Sequence, residues 1–180
     1  MVKTRVECLE KFGSDMAIAK AVSEKVLFRL DRGIYSDRPY APFVEIAEKR
    51  YPDTVVTLES AFYYQGLTDV VPEVLHLASN RKSARIADRR VHQHFVPGEI
   101  LHLGETRVAF GSSSIRTYDL ERLCIEVMRM RTKLPYDFFK EVVNSLRSRV
   151  GEMYPAKIDD YLEFFPYRES VMGAIRKEIF

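Results

Sequence analysis

Short strand-like segments crowd into the middle of the chain, and helical patterns lie on either side of them. These segments cover residues 74–78, 91–96, 101–103, 107–110 and 115–118. Gly104, Gly111 and the pair Ser112-Ser113 provide turns between several of them. Strands grouped in one stretch, with helices grouped outside it, are typical of α+β folds. The pattern therefore predicts a C-terminal α+β domain with a mixed or antiparallel sheet and several helices.

Helical spacing marks the last third of the chain. Asp119 can cap a first helix, Pro135 opens a second, and Pro166 ends a third. Apolar residues recur every three or four positions in each of these segments and again after residue 170. We expect a tail of four amphipathic helices.

The first 38 residues have a different organisation. Thr4-x-x-Glu7 is a capping box that opens a short helix, Gly13 ends that helix, and Ser14 can cap a second one. Residues 26–30 and 34–36 alternate as strands around a turn at Gly33. Helix, helix and hairpin resemble a winged helix that is shortened by about one helix. We predict a winged-helix-like module over 1–38 and an α+β domain over 39–180.

Four basic residues fall where a winged helix contacts DNA: Lys20, Lys25, Arg29 and Arg32. Side chains of this kind neutralise backbone phosphates. The same module also carries three acidic residues, Asp15, Glu24 and Asp31. Their presence favours the alternative, a small helix–hairpin cap whose charges are only solvated.

A second basic cluster follows the first predicted strand of the C-terminal domain. It comprises Arg81, Lys82, Arg85, Arg89 and Arg90, against Asp88 alone. The whole chain has a formal net charge of only +2, so this imbalance is local. Such a segment fits nucleic-acid phosphates or an acidic protein surface, and it also fits a solvated loop.

Histidines and cysteines are the candidate metal ligands of the sequence. His92-x-His94 places two imidazoles on one face of a strand, and His76 or His102 can supply a third. No cysteine or carboxylate is convincingly placed to complete a zinc site, so we expect no metal and no other cofactor. The only cysteines, Cys8 and Cys124, are expected to be reduced, packed thiols.

Catalytic motifs are absent from the sequence. It has no Glu-x-Lys triplet in the strand region, no Gly-x-Ser-x-Gly motif and no Walker-type loop. No apolar run is long enough for a membrane span, and no signal peptide is visible. We therefore expect a cytoplasmic regulatory protein rather than an enzyme, without a membrane partner.

Three stretches together resemble the AbiEi family of antitoxins from type IV toxin–antitoxin systems. They are LFRLDRGIY at residues 27–35, TLESAFYYQGLTD at 57–69 and DLERLCIE at 119–126. The first is similar to the family's wing, the second to the segment that opens its C-terminal domain, and the third to a helix after the last strands. The second stretch is the most specific of the three, and the resemblance spans nearly the whole chain.

The resemblance implies a functional partner, a nucleotidyltransferase-like toxin. It also implies that the N-terminal module binds operator DNA and represses its own operon, while the C-terminal domain opposes toxicity. Type IV pairs act without a stable complex, so no direct interface is implied. Two alternatives stay open: a stand-alone nucleic-acid-binding adaptor that uses the 81–90 cluster, and a degenerate nuclease-like enzyme, against which the missing carboxylate motif argues.

Overall fold

A computed structural model describes residues 1–111 and 113–180. Its packing divides the chain into two compact units, Met1–Asp53 and Thr54–Phe180. The predicted turn at Ser112 lies outside the described residues. The first unit extends beyond the boundary that we placed after residue 38, because one more helix packs within it.

The first unit contains three strands and three helices. They are β1 (Val2–Thr4), α1 (Arg5–Phe12), α2 (Asp15–Ser23), β2 (Phe28–Asp31), β3 (Ile34–Ser36) and α3 (Phe43–Arg50). The strands form an antiparallel sheet in the order β1-β3-β2. Along the chain, α1 and α2 lie between the outer strand β1 and the β2–β3 hairpin. This is the arrangement of the helix pair and wing in a winged-helix-like module.

Local hydrogen bonds explain where the first two helices begin and end. Thr4 Oγ1 accepts a bond from the Glu7 amide at 3.2 Å, and the Glu7 carboxylate accepts one from the Thr4 amide at 2.6 Å. Gly13 ends α1 in the left-handed conformation, with φ of 81°. Ser14 Oγ accepts from the Ala17 amide at 3.2 Å and caps α2. The predicted capping box, stop and second cap are all confirmed.

Two apolar clusters cover the two faces of this small sheet. One contains Cys8, Ile18, Ala21 and Leu27, with Tyr35 packed against it. The other contains Val2, Ile34, Ala41 and Ile46. Neighbouring residues of a strand point to opposite faces, so Ile34 and Tyr35 place α3 on one face and the α1–α2 pair on the other. This packing is why the unit extends to Asp53.

The second unit is a mixed α+β domain. Its elements are β4 (Val55–Val56), α4 (Leu58–Tyr64), β5 (Leu75–Asn80), β6 (Val91–Val96), α5 (Gly98–Leu101), β7 (Glu105–Phe110), β8 (Ser113–Tyr118), α6 (Leu120–Met130), α7 (Tyr136–Ser148), α8 (Pro155–Leu162) and α9 (Arg168–Glu178), with a 3-10 turn at Val150–Glu152. One sheet has the order β4-β5-β6, antiparallel and then parallel, while β7 and β8 form an antiparallel hairpin.

The fold class is as predicted from the sequence, but the prediction of a strand at 101–103 is wrong. That region is the end of α5, where the adjacent residues Ile100 and Leu101 are both buried. A surface strand would have alternated their exposure. The hairpin is joined to the sheet by Thr117, whose hydroxyl donates to the Val56 carbonyl at 3.1 Å.

Helix α6 forms the centre of the second unit. Every residue from 120 to 128 is buried, including the charged Glu121, Arg122 and Glu126. Helices α4, α7, α8 and α9 all pack against it. Residues 119–126 therefore comprise the N-cap and the first seven residues of this core helix. Among the described residues, no helix combines the length and apolar character needed to cross a bilayer.

Candidate functional site

A basic row crosses the N-terminal sheet on the side of the α1–α2 pair. Tyr35 lies opposite Lys3 on β1 and opposite Arg29 on β2. Directly opposed residues of an antiparallel pair project from the same face. Tyr35 packs toward α1 and α2, so Lys3 and Arg29 project on that side as well. No pattern in the sequence marks Lys3, because only the strand register places it in one row with Arg29.

The acidic residues of this module are paired with cations. Asp15 pairs with Arg5, Asp31 with Arg50, and Glu24 with Lys20, at nitrogen–oxygen distances of 2.8, 2.6 and 3.8 Å. The hydrogen bonds from Arg5 lower the pKa of the Asp15 carboxyl below its ordinary value. Ion pairing with these cations offsets part of the negative charge that the three acids bring to the module.

All four basic residues predicted in this module are exposed, and they differ in whether an acidic residue lies nearby. Lys25, Arg29 and Arg32 are exposed, and within residues 1–111 and 113–180 none of them forms an ion pair. Lys25 follows α2 in the left-handed conformation, with φ of 58°. Lys20 is also exposed, although it lies near Glu24. The wing thus presents cations that are available to an external anion.

The exposed face of α2 mixes long and short side chains. Met16 is 85% exposed, and Asp15, Ala19, Lys20 and Ser23 are exposed on the same helix. In a winged helix, the second helix of the pair enters the major groove through its solvent-exposed face.

The 81–90 cluster forms the connection between the parallel strands β5 and β6. Arg81, Lys82, Arg85 and Arg89 are exposed and form no ion pair in the described part of the chain, while Arg90 pairs with Asp88 at 2.8 Å. Gln93 of β6 fixes the connection to the sheet. Its side chain accepts from the Ile86 amide at 2.7 Å and donates to the Ala84 carbonyl at 3.1 Å. The basic residues are thus displayed on an anchored segment.

Three of the four histidines of the chain lie together on the sheet. His76 of β5 is in register with His92 of β6, and His94 lies two residues further on. The ligand nitrogens of the three rings all lie within 4.8 Å of one another. Nε2 of His94 is 3.1 Å from Nδ1 of His76. His102, the other candidate for third ligand, instead contacts Glu105 at 2.6 Å.

Helix α4 adds a carboxylate to this histidine cluster. Glu59 Oε2 is 2.8 Å from Nδ1 of His76, and no donor in the described chain is well aligned with this buried oxygen. Ser60 holds the helix in place, because its hydroxyl accepts from the His76 amide at 2.9 Å. Leu58, just before Glu59, has a φ of 46°, a strained value for a residue with a side chain. No pattern in the sequence marks Glu59 as a neighbour of these histidines, because it lies 17 positions before His76 in another element.

The surroundings of His94 favour its neutral form. Burial, together with the neighbouring His76 and His92, lowers the pKa of His94 to about 4. Burial raises the pKa of Glu59, but the contacts with His76 outweigh it, and the net shift is downward. At neutral pH the site therefore combines a neutral His94 with an ionised carboxylate.

Comparison with known proteins shows a similarity of fold to a solved structure. No family model and no curated protein matches the chain. Among solved structures, the chain is similar to the crystal structure of the RV2827C protein from Mycobacterium tuberculosis, with a TM-score of 0.62 and 14% identity. The match covers 99% of this chain and 72% of that one. At this identity the likeness concerns the fold alone, and it extends over both units.

Proposed function

We propose that this protein is the antitoxin of a type IV toxin–antitoxin pair, a cytoplasmic, non-catalytic regulator that also binds the DNA of its own operon. The observation that carries the proposal is the N-terminal sheet, whose order β1-β3-β2 places a helix pair beside a wing with exposed cations. The resemblance of residues 27–35, 57–69 and 119–126 to AbiEi antitoxins supplies the biological role.

DNA binding is proposed to use two parts of the module. Helix α2 enters the major groove with its exposed face, and the wing contacts the backbone through Arg29 and Arg32. Lys3, Lys20 and Lys25 extend the positive surface. Each phosphate contact releases counterions, so affinity should fall steeply with salt.

Opposition to the toxin is assigned to the second unit. The compact body Thr54–Phe180 has its own core around α6 and displays the anchored basic residues 81–90. Such a surface can compete for the nucleic-acid target of a nucleotidyltransferase-like toxin or for an acidic face of the toxin itself. Neither route needs a stable complex between the two proteins.

The direct test is binding of the full chain to DNA from upstream of its own gene, at several salt concentrations. We expect binding that is tighter than to a scrambled duplex, and a weaker salt dependence in the Arg29→Ala plus Arg32→Ala variant. A matched control replaces Arg176 and Lys177, two exposed cations of α9. Unchanged binding by the wing variant, or an equal loss in the control, would refute the wing assignment.

A second candidate function is a stand-alone nucleic-acid adaptor. It is favoured by one observation: Arg81, Lys82, Arg85 and Arg89 are exposed on the anchored connection between β5 and β6, and they form no ion pair with any residue that the structure describes. Co-expression with the product of the neighbouring gene separates the two functions. An antitoxin restores growth of cells that express the toxin, whereas an adaptor binds nucleic acid in a salt-sensitive manner without affecting toxicity.

A further inference from the structure

We propose that Glu59, His76, His92 and His94 form a binding site for a divalent transition-metal ion, with zinc as the best match. The site joins helix α4 to the strands β5 and β6, and its four residues differ from the basic residues proposed to bind DNA or oppose the toxin. The sequence alone led us to expect no metal, because it shows no carboxylate convincingly placed beside the histidines. The structure supplies one in Glu59.

Ligand type supports this assignment. Zinc in proteins is bound by imidazole nitrogens and carboxylate oxygens, usually four in number and tetrahedral. Three imidazoles and one carboxylate satisfy both requirements. Imidazole also suits copper, iron and nickel, whereas magnesium and calcium prefer sites made wholly of oxygen.

The distances between the ligand atoms also support a metal site. Two nitrogens bound to one zinc ion at ordinary bond lengths lie about 3.4 Å apart. The His94–His76 nitrogen pair is at 3.1 Å, and Glu59 Oε2 is 2.8 Å from the same His76 nitrogen. Three ligand atoms are therefore already gathered. His92, whose ligand atom lies within 4.8 Å of the other two histidines, can close the set by a small side-chain rotation.

The surrounding structure holds the ligands in place and leaves the site open to an ion from solvent. His76 and Glu59 are held by the Ser60 contact between α4 and β5, and burial keeps the inner ligands in place. His92 is exposed at the edge strand β6, so an ion can enter from solvent. The alternative for this geometry is a hydrogen-bonded histidine stack without an ion, since the His92 and His94 rings lie 4.5 Å apart and 13° from parallel.

The test uses the full chain, stripped with a chelator and titrated with zinc chloride in calorimetry, with cobalt chloride as a spectroscopic probe. We expect one ion per chain, visible absorption typical of tetrahedral cobalt, and a higher melting temperature in the presence of zinc. Replacement of the exposed His92 by Ala leaves the fold intact and should weaken binding by roughly tenfold or more, since the loss of an outer-shell partner alone costs about 10–100-fold.

His102→Ala is the matched control, because His102 is exposed and lies outside the cluster. It should bind zinc as the parent does. His92→Ala combined with Glu59→Gln should abolish the cobalt absorption, while far-ultraviolet circular dichroism shows that the variant is folded. Failure of the parent chain to bind zinc, or equal binding by the parent and the double variant, would overturn the site.

Discussion

Gly104 lies directly against Arg122, and a Cβ added to the glycine would be 2.7 Å from the arginine Cβ. Gly104 also has a φ of 75°, in the left-handed region that favours glycine. It occupies the turn before β7, and the Gly104 carbonyl accepts a bond from the Asp119 amide at 2.8 Å. The start of the core helix is thus packed onto a position where a side chain does not fit.

We expect Gly104→Ala to lower the free energy of unfolding by about 2–5 kcal/mol. The left-handed conformation accounts for about 1–2 kcal/mol, and the contact with the arginine Cβ for about 1–3 kcal/mol. Gly66→Ala is the matched control, because Gly66 has a φ of 68° with open space around it. It should show only the conformational part. Urea denaturation followed by circular dichroism measures both, and equal losses would contradict the close-packing argument.

The buried ion pair of α6 provides the second prediction. Arg122 is fully buried, donates to Glu126 at 2.7 Å and to the Ile100 carbonyl at 2.9 Å, and lies 4.6 Å from the ring centres of Tyr118 and Phe165. Arg122→Met leaves a buried carboxylate without this partner and should destabilise the protein by about 3–5 kcal/mol.

Arg168→Met serves as its control, because Arg168 forms exposed ion pairs with Asp159 and Glu163. It should cost less than about 1 kcal/mol. Thermal and urea melts of the two variants give the comparison. A small loss for Arg122→Met would mean that Glu126 is satisfied by other contacts.

The row formed by Lys3 and Arg29 provides the third prediction. If both side chains contact phosphates, Lys3→Gln alone should reduce the slope of log affinity against log salt by about one. Lys177→Gln on α9 is the corresponding control, with the same loss of charge. Fluorescence anisotropy with labelled upstream DNA measures both slopes. A Lys3 variant with the parental slope would limit the DNA surface to the wing and α2.

The fourth prediction concerns toxin neutralisation. We expect a chain starting at Thr54 to rescue toxin-expressing cells as well as the intact chain does, because Thr54–Phe180 is a compact unit with its own core. Colony counts after toxin induction provide the measurement. Rescue that depends on residues before Thr54 would contradict the assignment to the second unit.

The fifth prediction concerns the 81–90 cluster on the connection between β5 and β6. Glutamate at positions 81, 82, 85 and 89 should weaken rescue without unfolding the protein, because exposed charges contribute little to stability. The matched control places glutamate at four other exposed cations of the same unit, Arg131, Lys133, Arg176 and Lys177. If both variants lose rescue equally, net charge is responsible rather than the crossover.

Local signals in the sequence predicted the local structure well. The capping box at Thr4 and Glu7, the stop at Gly13 and the cap at Ser14 depend on residues only a few positions apart, and all are present. The prediction at 101–103 failed because a short apolar run does not distinguish a buried helix from a strand.

Non-local pairing limited the prediction of the sites. Lys3 joins Arg29 only through the register of β1 and β2 on β3, and Glu59 reaches His76 only because α4 packs on β5. Neither relationship has a periodicity in the sequence. The pair His92 and His94 was visible because residues two apart share a strand face, whereas the ligand that completes the cluster was not.

The crossover between β5 and β6 also restricts how this protein can change in length. Because β5 and β6 are parallel, the ten residues 81–90 must lead from the end of β5 back to the start of β6. Each strand has six residues, so this distance is roughly 20 Å at about 3.3 Å per residue. Backbone bonds from Ser83 to Asn80 and from Val91 to Asp88 close turns at both ends, so only residues 84–87 span the distance. A deletion there would pull the parallel strands out of register, while an insertion would cost little because closure entropy grows slowly with loop length. The segment should therefore tolerate an insertion, such as a peptide tag after Ala87, but not a deletion.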